Sequence, residues 1–182
     1  TDGSVQAWGI TSRGGCNNAA GGTSVNCVPD GLTGVASIAF NNYAFAAIKT
    51  DGSVRAWGTH GYGGCTNGYG GYTTTLTCVP DGLTGVVSIA EVDYAFAALK
   101  SDGSVAAWGR QGYGGTDPGI TSGVVSLAAS AGAFAALKDD GSVEVWGSSS
   151  YGGDGFSPAI TSGATKIVAG LFAFATINTD GS

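Results

Sequence analysis

One phrase, written four times and begun a fifth, constrains this chain more than any other feature. Asp2-Gly3-Ser4-Val5 leads to Trp8-Gly9, Asp51-Gly52-Ser53-Val54 leads to Trp57-Gly58, and the stretches from Asp102 to Gly109 and from Asp140 to Gly147 repeat the pattern. The last copy starts at Thr179 and stops at Ser182. The Asp-Gly steps fall at 2, 51, 102, 140 and 180, so the spacings are 49, 51, 38 and 40. Self-similarity at such periods marks a repeat architecture, in which each unit buries its apolar face only against its neighbours. The chain is therefore read as one repeat domain, 1–182, with units of about 1–49, 50–100, 101–138 and 139–178 and a truncated copy at 179–182.

The unit reads as β-structure. Val35 to Phe40 is a short apolar run, Asn41-Asn42 a turn, and Tyr43 to Lys49 a second run that leads through Asp51-Gly52 to Val54-Arg55-Ala56-Trp57. Asp-Gly between β-type runs is a hairpin signal, and a type I′ turn centred on it is expected. Phe45, Ala47 and Lys49 point to one side and Ala44, Ala46 and Ile48 to the other. Alanines facing aromatics predict closely stacked sheets, with Trp8, Trp57, Trp108 and Trp146 as packing wedges. Runs of about seven residues broken by glycine are too short for ordinary helices. The expected fold is all-β, with three or four short antiparallel strands per repeat.

Composition narrows the function. Of 182 residues, 43% are hydrophobic and only 11% charged, against roughly 25% in typical globular proteins. A net charge of −6 gives no electrostatic footprint for nucleic acid and no cationic face for an anionic membrane. No stretch reaches the ~18 apolar residues of a membrane span. The 34 glycines lack a collagen period and point to many tight turns. Thr1 in place of a methionine, with no leader in view, suggests a mature product or a segment of a longer chain.

The pattern V-x-S-[IL]-A, then A-F-A-A-[IL]-K-x-D-G-S-V-x-x-W-G-x-x-x-Y-G-G, resembles the RCC1-type repeat, and the resemblance covers nearly the whole chain apart from two insertions. It implies a β-propeller, usually seven-bladed, with four antiparallel strands per blade. Two departures stand out. Phe45, Phe96, Phe134 and Phe174 replace the family's histidine, and its G-Q-L-G tail is reduced to Tyr62-Gly63-Gly64, Tyr113-Gly114-Gly115 and Tyr151-Gly152-Gly153. The arrays are also similar to those of large repeat proteins of aquatic single-celled eukaryotes. Guanine-nucleotide exchange, the activity of the family's namesake, is not expected with these motif residues lost.

The two ends are complementary. Val5 to Trp8 reads as the second strand of a hairpin without its first, and Phe172 to Asn178 as a first strand without its second. Ala173-Phe174-Ala175-Thr176-Ile177 could pair with Val5-Gln6-Ala7-Trp8, since exposed sheet edges are seldom tolerated. Self-closure into a four-bladed ring, head-to-tail pairing with a second molecule, and continuation in a longer chain all satisfy this.

Cysteines come with the insertions. Cys16 and Cys27 lie in the first long loop and Cys65 and Cys78 in the second, while the shorter third and fourth units lack them. Cysteines that arrive and vanish together are expected partners, Cys16–Cys27 and Cys65–Cys78, each closing a loop worth roughly 2–3 kcal/mol. The spacing does not suit C-x₂₋₄-C zinc, and the chain holds one histidine. Disulfides point to a place outside the cytosol.

No catalytic, cofactor or metal site is expected. Asp2, Asp51, Asp102, Asp140 and Asp180 sit in the repeated turn, and Asp30 and Asp81 in Pro-Asp-Gly turns. Glu91 with Asp93 is the acidic pair outside a turn signal, and it reads as a solvated loop. His60 is a lone loop histidine, and such a residue is not a catalytic centre without an oriented partner. The best candidate contact surface is the loop 66–77, where Tyr69, Tyr72, Thr73, Thr74 and Thr75 mix aromatic and small polar groups suited to protein or sugar. Two functions fit. One is a non-enzymatic extracellular structural array that self-associates through its ends into a filament, hair or surface layer; the other is a secreted propeller that binds a protein or glycan through its cystine loops.

Overall fold

Each A-F-A-A run becomes an inner or terminal strand of a small antiparallel sheet. The computed structural model describes residues 2–10, 13–14, 28–64, 76–77 (backbone only), 79–154 and 160–180. The first sheet holds β1 (Val35–Phe40), β2 (Ala44–Lys49) and β3 (Val54–Gly58) in that order. The second holds β5 (Val86–Val92), β6 (Ala95–Lys100) and β7 (Val105–Arg110), with β4 (Leu76–Thr77) added outside β7. The third is β8 (Val124–Ala129), β9 (Ala133–Lys138) and β10 (Val143–Gly147), and the fourth β11 (Ala164–Ala169) and β12 (Phe174–Asn178). The sheets straddle the sequence units, because the Asp-Gly hairpin crosses each unit boundary.

The hairpin turn differs from expectation. The Gly52 N–H donates to the Lys49 carbonyl at 2.9 Å and the Lys49 N–H to the Ser53 carbonyl at 2.9 Å. The turn is thus Lys49-Thr50-Asp51-Gly52, with glycine fourth, and not a two-residue type I′ turn centred on Asp-Gly. Lys100 to Gly103 and Lys138 to Gly141 repeat both bonds. A loop of this length places its one left-handed residue at the bulge position, where Gly52 has φ 75°. Asp51 acts through its side chain. Its Oδ1 accepts from the Ser53 N–H at 2.9 Å and from Ser53 Oγ at 2.6 Å.

The sheets stack face to face, and the alternation read from the sequence decides which face meets which. Ala44, Ala46 and Ile48 of the first sheet pack against Phe96, Ala98 and Trp108 of the second. Ala95, Ala97 and Leu99 then pack against Phe134 and Ala136 of the third, with Trp146 beside them. Ala135 and Leu137 meet Phe174 of the fourth. Alanine on one face lets the bulky Phe–Trp face of the next sheet approach closely.

The four strands β1, β5, β8 and β11 form one edge of their sheets. Each carries a register shift after its first residue, as between Val35 and Ser37. Among the described residues no helix is long and apolar enough to cross a membrane.

Candidate functional site: the joint between sheets

The same joint is built wherever one sheet meets the next, and it begins with a pair of glycines. The Gly52 carbonyl accepts from the Val86 N–H at 3.0 Å, Gly103 from Val124 at 3.0 Å, and Gly141 from Ala164 at 3.0 Å. Gly3 accepts from Val35 at 3.1 Å in the same way, so residues 2–8 occupy the place of a preceding sheet's turn. The glycine before each bulge continues the chain of bonds: Gly34, Gly85, Gly123 and Gly163 accept from Thr50, Ser101, Asp139 and Thr179 at 2.8, 2.8, 2.9 and 2.9 Å. A Cβ on Gly103 would lie 2.7 Å from the Gly123 nitrogen, and one on Gly141 would lie 2.5 Å from that of Gly163. Glycine is therefore required twice, for its positive φ and for the neighbour's backbone.

The Tyr-Gly-Gly segment is a clasp. It leaves one sheet after Trp-Gly and lays its first glycine on the Phe–Trp pair of the next. A Cβ on Gly114 would stand 2.7 Å from Phe134, and one on Gly152 would stand 3.1 Å from Phe174. The Phe and Trp rings are stacked, 5.3 Å apart for Phe45–Trp57, 5.4 Å for Phe96–Trp108 and 5.3 Å for Phe134–Trp146. Trp108 Nε1 donates to the Gly63 carbonyl at 3.2 Å and Trp146 Nε1 to that of Gly114 at 3.1 Å. Trp57 and Trp108 are buried and Trp146 half-buried, but Trp8 is 83% exposed. The indole is covered only where a phenylalanine strand lies beside it, and Trp8 has none.

Sequence reading missed the first clasp. Arg13-Gly14 stands five residues after Trp8, as Tyr62-Gly63 does after Trp57. A Cβ on Gly14 would meet the Phe45 ring at 2.6 Å. Counting from the tryptophan exposes this equivalence; the change from tyrosine to arginine hides it.

Along the joints the tyrosines form a ladder. Tyr43 stacks on Tyr62 at 4.6 Å and on Tyr94 at 5.4 Å; Tyr94 meets Tyr113 edge-on at 4.6 Å, Tyr113 lies 6.1 Å from Tyr151, and Tyr151 stacks on Phe172 at 5.5 Å. Arg13 lies over Tyr43 at 4.7 Å and Arg110 over Tyr94 and Tyr113 at 5.6 and 5.2 Å, favourable cation–π geometry. Burial, reinforced by the neighbouring tyrosines and Asp93, raises the Tyr94 hydroxyl above its ordinary value. Asn41 Nδ2 donates to the Tyr62 carbonyl at 2.8 Å, and Ser130 Oγ does the same to Tyr151 at 2.9 Å. These bonds tie each clasp to the turn of its own sheet.

Glu91 and Asp93 line an open cleft of ≈ 170 Å³ with Phe40, Asn41, Asn42, Val92 and Ser130. Burial raises the Glu91 carboxyl, while Asp93 accepts a hydrogen bond from Asn42 Nδ2 at 3.2 Å. Among the described residues no three His, Cys, Asp or Glu side chains gather as metal ligands. The carboxylates of the repeated turns are engaged locally. Asp51 and Asp102 are held down to about 2, first by the side chains of Ser53 and Ser104 and then by their backbone N–H groups.

The expected disulfide residues Cys16, Cys27, Cys65 and Cys78 and the loop residues Tyr69, Tyr72, Thr73, Thr74 and Thr75 lie outside the described residues. The pairing of residues 173–177 with residues 5–8 does not occur within the chain: β12 pairs with β11 in a two-stranded sheet, and residues 2–8 are not a strand. Residues 2–8 instead run on the Leu32–Ala47–Trp57 side of the first sheet, where Val5 packs.

No protein-family model matches the chain, and no curated protein matches it. Solved structures do. The entire ectodomain of the Physcomitrella patens receptor kinase CR4 superposes with a TM-score of 0.59 at 16% identity, covering 81% of this chain and 39% of that one. The CRINKLY WD40 ectodomain of the Arabidopsis thaliana receptor kinase ACR4 gives 0.53 at 18% identity, covering 79% and 49%. The chain spans less than half the length of these structures. The likeness is one of fold: small antiparallel sheets arranged as in a β-propeller.

Proposed function

We propose that this protein is a non-enzymatic structural repeat protein, built of RCC1-like blades, that works outside the cytosol by extending blade on blade into a filament, hair or surface layer. The observation that carries this reading is the joint itself. Its glycine contact is repeated at Gly3, Gly52, Gly103 and Gly141, and its clasp at Gly14, Gly63, Gly114 and Gly152. The fourth sheet meanwhile leaves bare the face with which such a joint would continue: Ala173, Ala175 and Ile177 are exposed where Ala44, Ala46 and Ile48 are buried. Low charge and a joint made of backbone bonds and apolar contacts suit a surface exposed to varying salt, because such contacts are weakly screened.

Electron microscopy and sedimentation of the purified protein test the assembly. Open chains of copies that lengthen with concentration are expected, and dispersed monomers at every concentration would overturn it. The extracellular part is tested separately. All four cysteines should alkylate only after reduction.

A further inference from the structure

Three tyrosines of the ladder meet as a cluster where the first sheet joins the second. Tyr43 comes from the turn between β1 and β2, Tyr94 from the turn between β5 and β6, and Tyr62 from the clasp that follows β3. Their ring centroids are 4.6 Å apart for Tyr43–Tyr62, 5.4 Å for Tyr43–Tyr94 and 5.2 Å for Tyr62–Tyr94. All three are half-buried, so the rings are held in place yet open to a small solute. The two turns are pinned. Asn41 Oδ1 accepts from the Tyr43 and Ala44 N–H groups at 2.9 Å each, and the Asp93 N–H donates to the Ala131 carbonyl at 3.0 Å. Asn42 Nδ2, donating to Asp93 Oδ1 at 3.2 Å, joins one turn to the other. Tyr43 and Tyr94 also share a side-chain hydrogen bond, which adds to the burial that chiefly raises the Tyr94 hydroxyl. Such a bond sets the two phenol oxygens side by side, and with them the ring carbons ortho to each oxygen. The rest of the ladder is built differently. Tyr94 meets Tyr113 at 80°, Tyr113 and Tyr151 are 6.1 Å apart, and Gly132 and Phe172 stand where the third and fourth sheets would carry the tyrosine of the turn.

We propose that Tyr43 and Tyr94 form an oxidative cross-linking site, at which a one-electron oxidant, of the kind a haem peroxidase makes from hydrogen peroxide, joins the two phenols through their ortho carbons. Each phenol gives up one electron and its hydroxyl proton and becomes a neutral phenoxyl radical. The two radicals carry spin density on their ortho carbons and pair there in one C–C bond. Each bonded carbon then releases its hydrogen as a proton, and each oxygen regains a proton. Two C–H bonds are broken and one C–C bond is made, and the two electrons and two protons released reduce one hydrogen peroxide to two waters. Because the rings already touch, neither radical has to diffuse to the other, which is the advantage of holding reacting groups together. The product bridges two sheets that otherwise hold one another by glycine contacts, the clasp and apolar packing, and it makes the first joint covalent. The link is internal to one chain and independent of the assembly reading above.

Photolysis of tris-bipyridyl ruthenium with persulfate, an oxidant of the same one-electron class, tests this on the dilute native protein. A fluorescent biphenol is expected in the monomer band of a denaturing gel, with a mass lower by two hydrogens and with Tyr43 joined to Tyr94 in the digested peptides. Tyr43→Phe and Tyr94→Phe keep the ring and remove the hydroxyl, so each should lower the yield about tenfold or more. Tyr62→Phe and Tyr113→Phe should keep most of it. The same oxidation of the chain unfolded in guanidinium should give about tenfold less of this link, because the contact is then gone. A link that maps to Tyr62 or Tyr113, a yield indifferent to the Tyr43 and Tyr94 variants, or an equal yield from the unfolded chain would overturn the proposal. So would oxidation that consumes these tyrosines in the native protein without joining them.

Discussion

Substituting Gly103 by alanine tests whether the joint, and not merely the hairpin, requires glycine. Three glycines in one stretch separate the terms. Gly112 has ordinary φ and open space around it, Gly119 has φ +73° and open space, and Gly103 has φ +75° with the Gly123 nitrogen 2.7 Å from a Cβ. Gly112→Ala removes only unfolded-state freedom and should stabilise by roughly 0.4–1 kcal/mol. Gly119→Ala adds a left-handed alanine, costing about 1–2 kcal/mol less that same gain. Gly103→Ala adds either overpacking of about 1–3 kcal/mol or an opened joint that loses the Val124–Gly103 hydrogen bond, about 1 kcal/mol. The expected excess of Gly103→Ala over Gly119→Ala is therefore about 1–3 kcal/mol, seen as a melting temperature lower by roughly 2–4 °C per kcal/mol in a chain of this size. Thermal and urea unfolding followed by circular dichroism measure it. Equal costs for the two, within about 0.5 kcal/mol, would refute the inference that the neighbouring sheet imposes the glycine.

Further outcomes follow from the same geometry. Trp108→Phe removes the buried Nε1 bond to Gly63 together with part of a fully buried ring, and should cost about 2–4 kcal/mol in guanidinium unfolding; Trp146→Phe, half-buried, should cost less, and equal losses would contradict a role for burial. At Gly132 a Cβ would lie 2.7 Å from Tyr151 and 2.9 Å from Tyr113. Gly132→Ala should therefore destabilise by about 1–3 kcal/mol despite its ordinary φ, and adding Tyr151→Ala should make the alanine less costly; additive losses would argue against the clash. The Asp51 and Asp102 carboxyls are held at about 2, below the ordinary 3.8. Their folded values are depressed, so the stability they contribute is complete above pH 4 and is lost as pH falls from about 4 to about 2. Carboxyl NMR titration should place both midpoints near 2, with Ser53→Ala raising that of Asp51; midpoints at the ordinary value would discard the Asp–Ser bonds.

Strand positions were legible because period-two alternation reports side-chain direction directly: Ala44, Ala46 and Ile48 do share one face and Phe45 and Ala47 the other. The turn was legible only in part. Asp-Gly announces a residue with positive φ, but one sequence serves both a two-residue and a three-residue loop, and the choice lies in backbone bonds such as Lys49 to Ser53. The joint was less legible still. Glycine before valine at 34, 85 and 123 looks like another turn, and its second duty, accepting a bond from the hairpin that follows while admitting the glycine of the hairpin before, depends on chain segments distant in sequence on both sides. Arg13 escaped notice because a cation can lie on a tyrosine face where another tyrosine otherwise would, which preserves the ladder and breaks the motif.

Equivalent positions show what a sheet here can do alone. Trp57 and Trp108 are 1% and 0% exposed, with a complete sheet around each, whereas Trp8 has the same local sequence and is 83% exposed. Ile48, Leu99 and Leu137 are closed at 6–7% because another sheet covers them, and Ile177 stands at 50% where none does. The sheets at each end are therefore not weaker by composition; they lack a neighbour. Stability in such a stack is a sum of unit and nearest-neighbour terms, and here the neighbour term holds most of the aromatic burial, the glycine bonds and the clasp. A stack organised this way concentrates its stability where one sheet meets the next. The selective weight on its sequence should thus fall on the surfaces where blades meet, which is where the repeated Asp-Gly, Phe–Trp and Tyr-Gly residues lie.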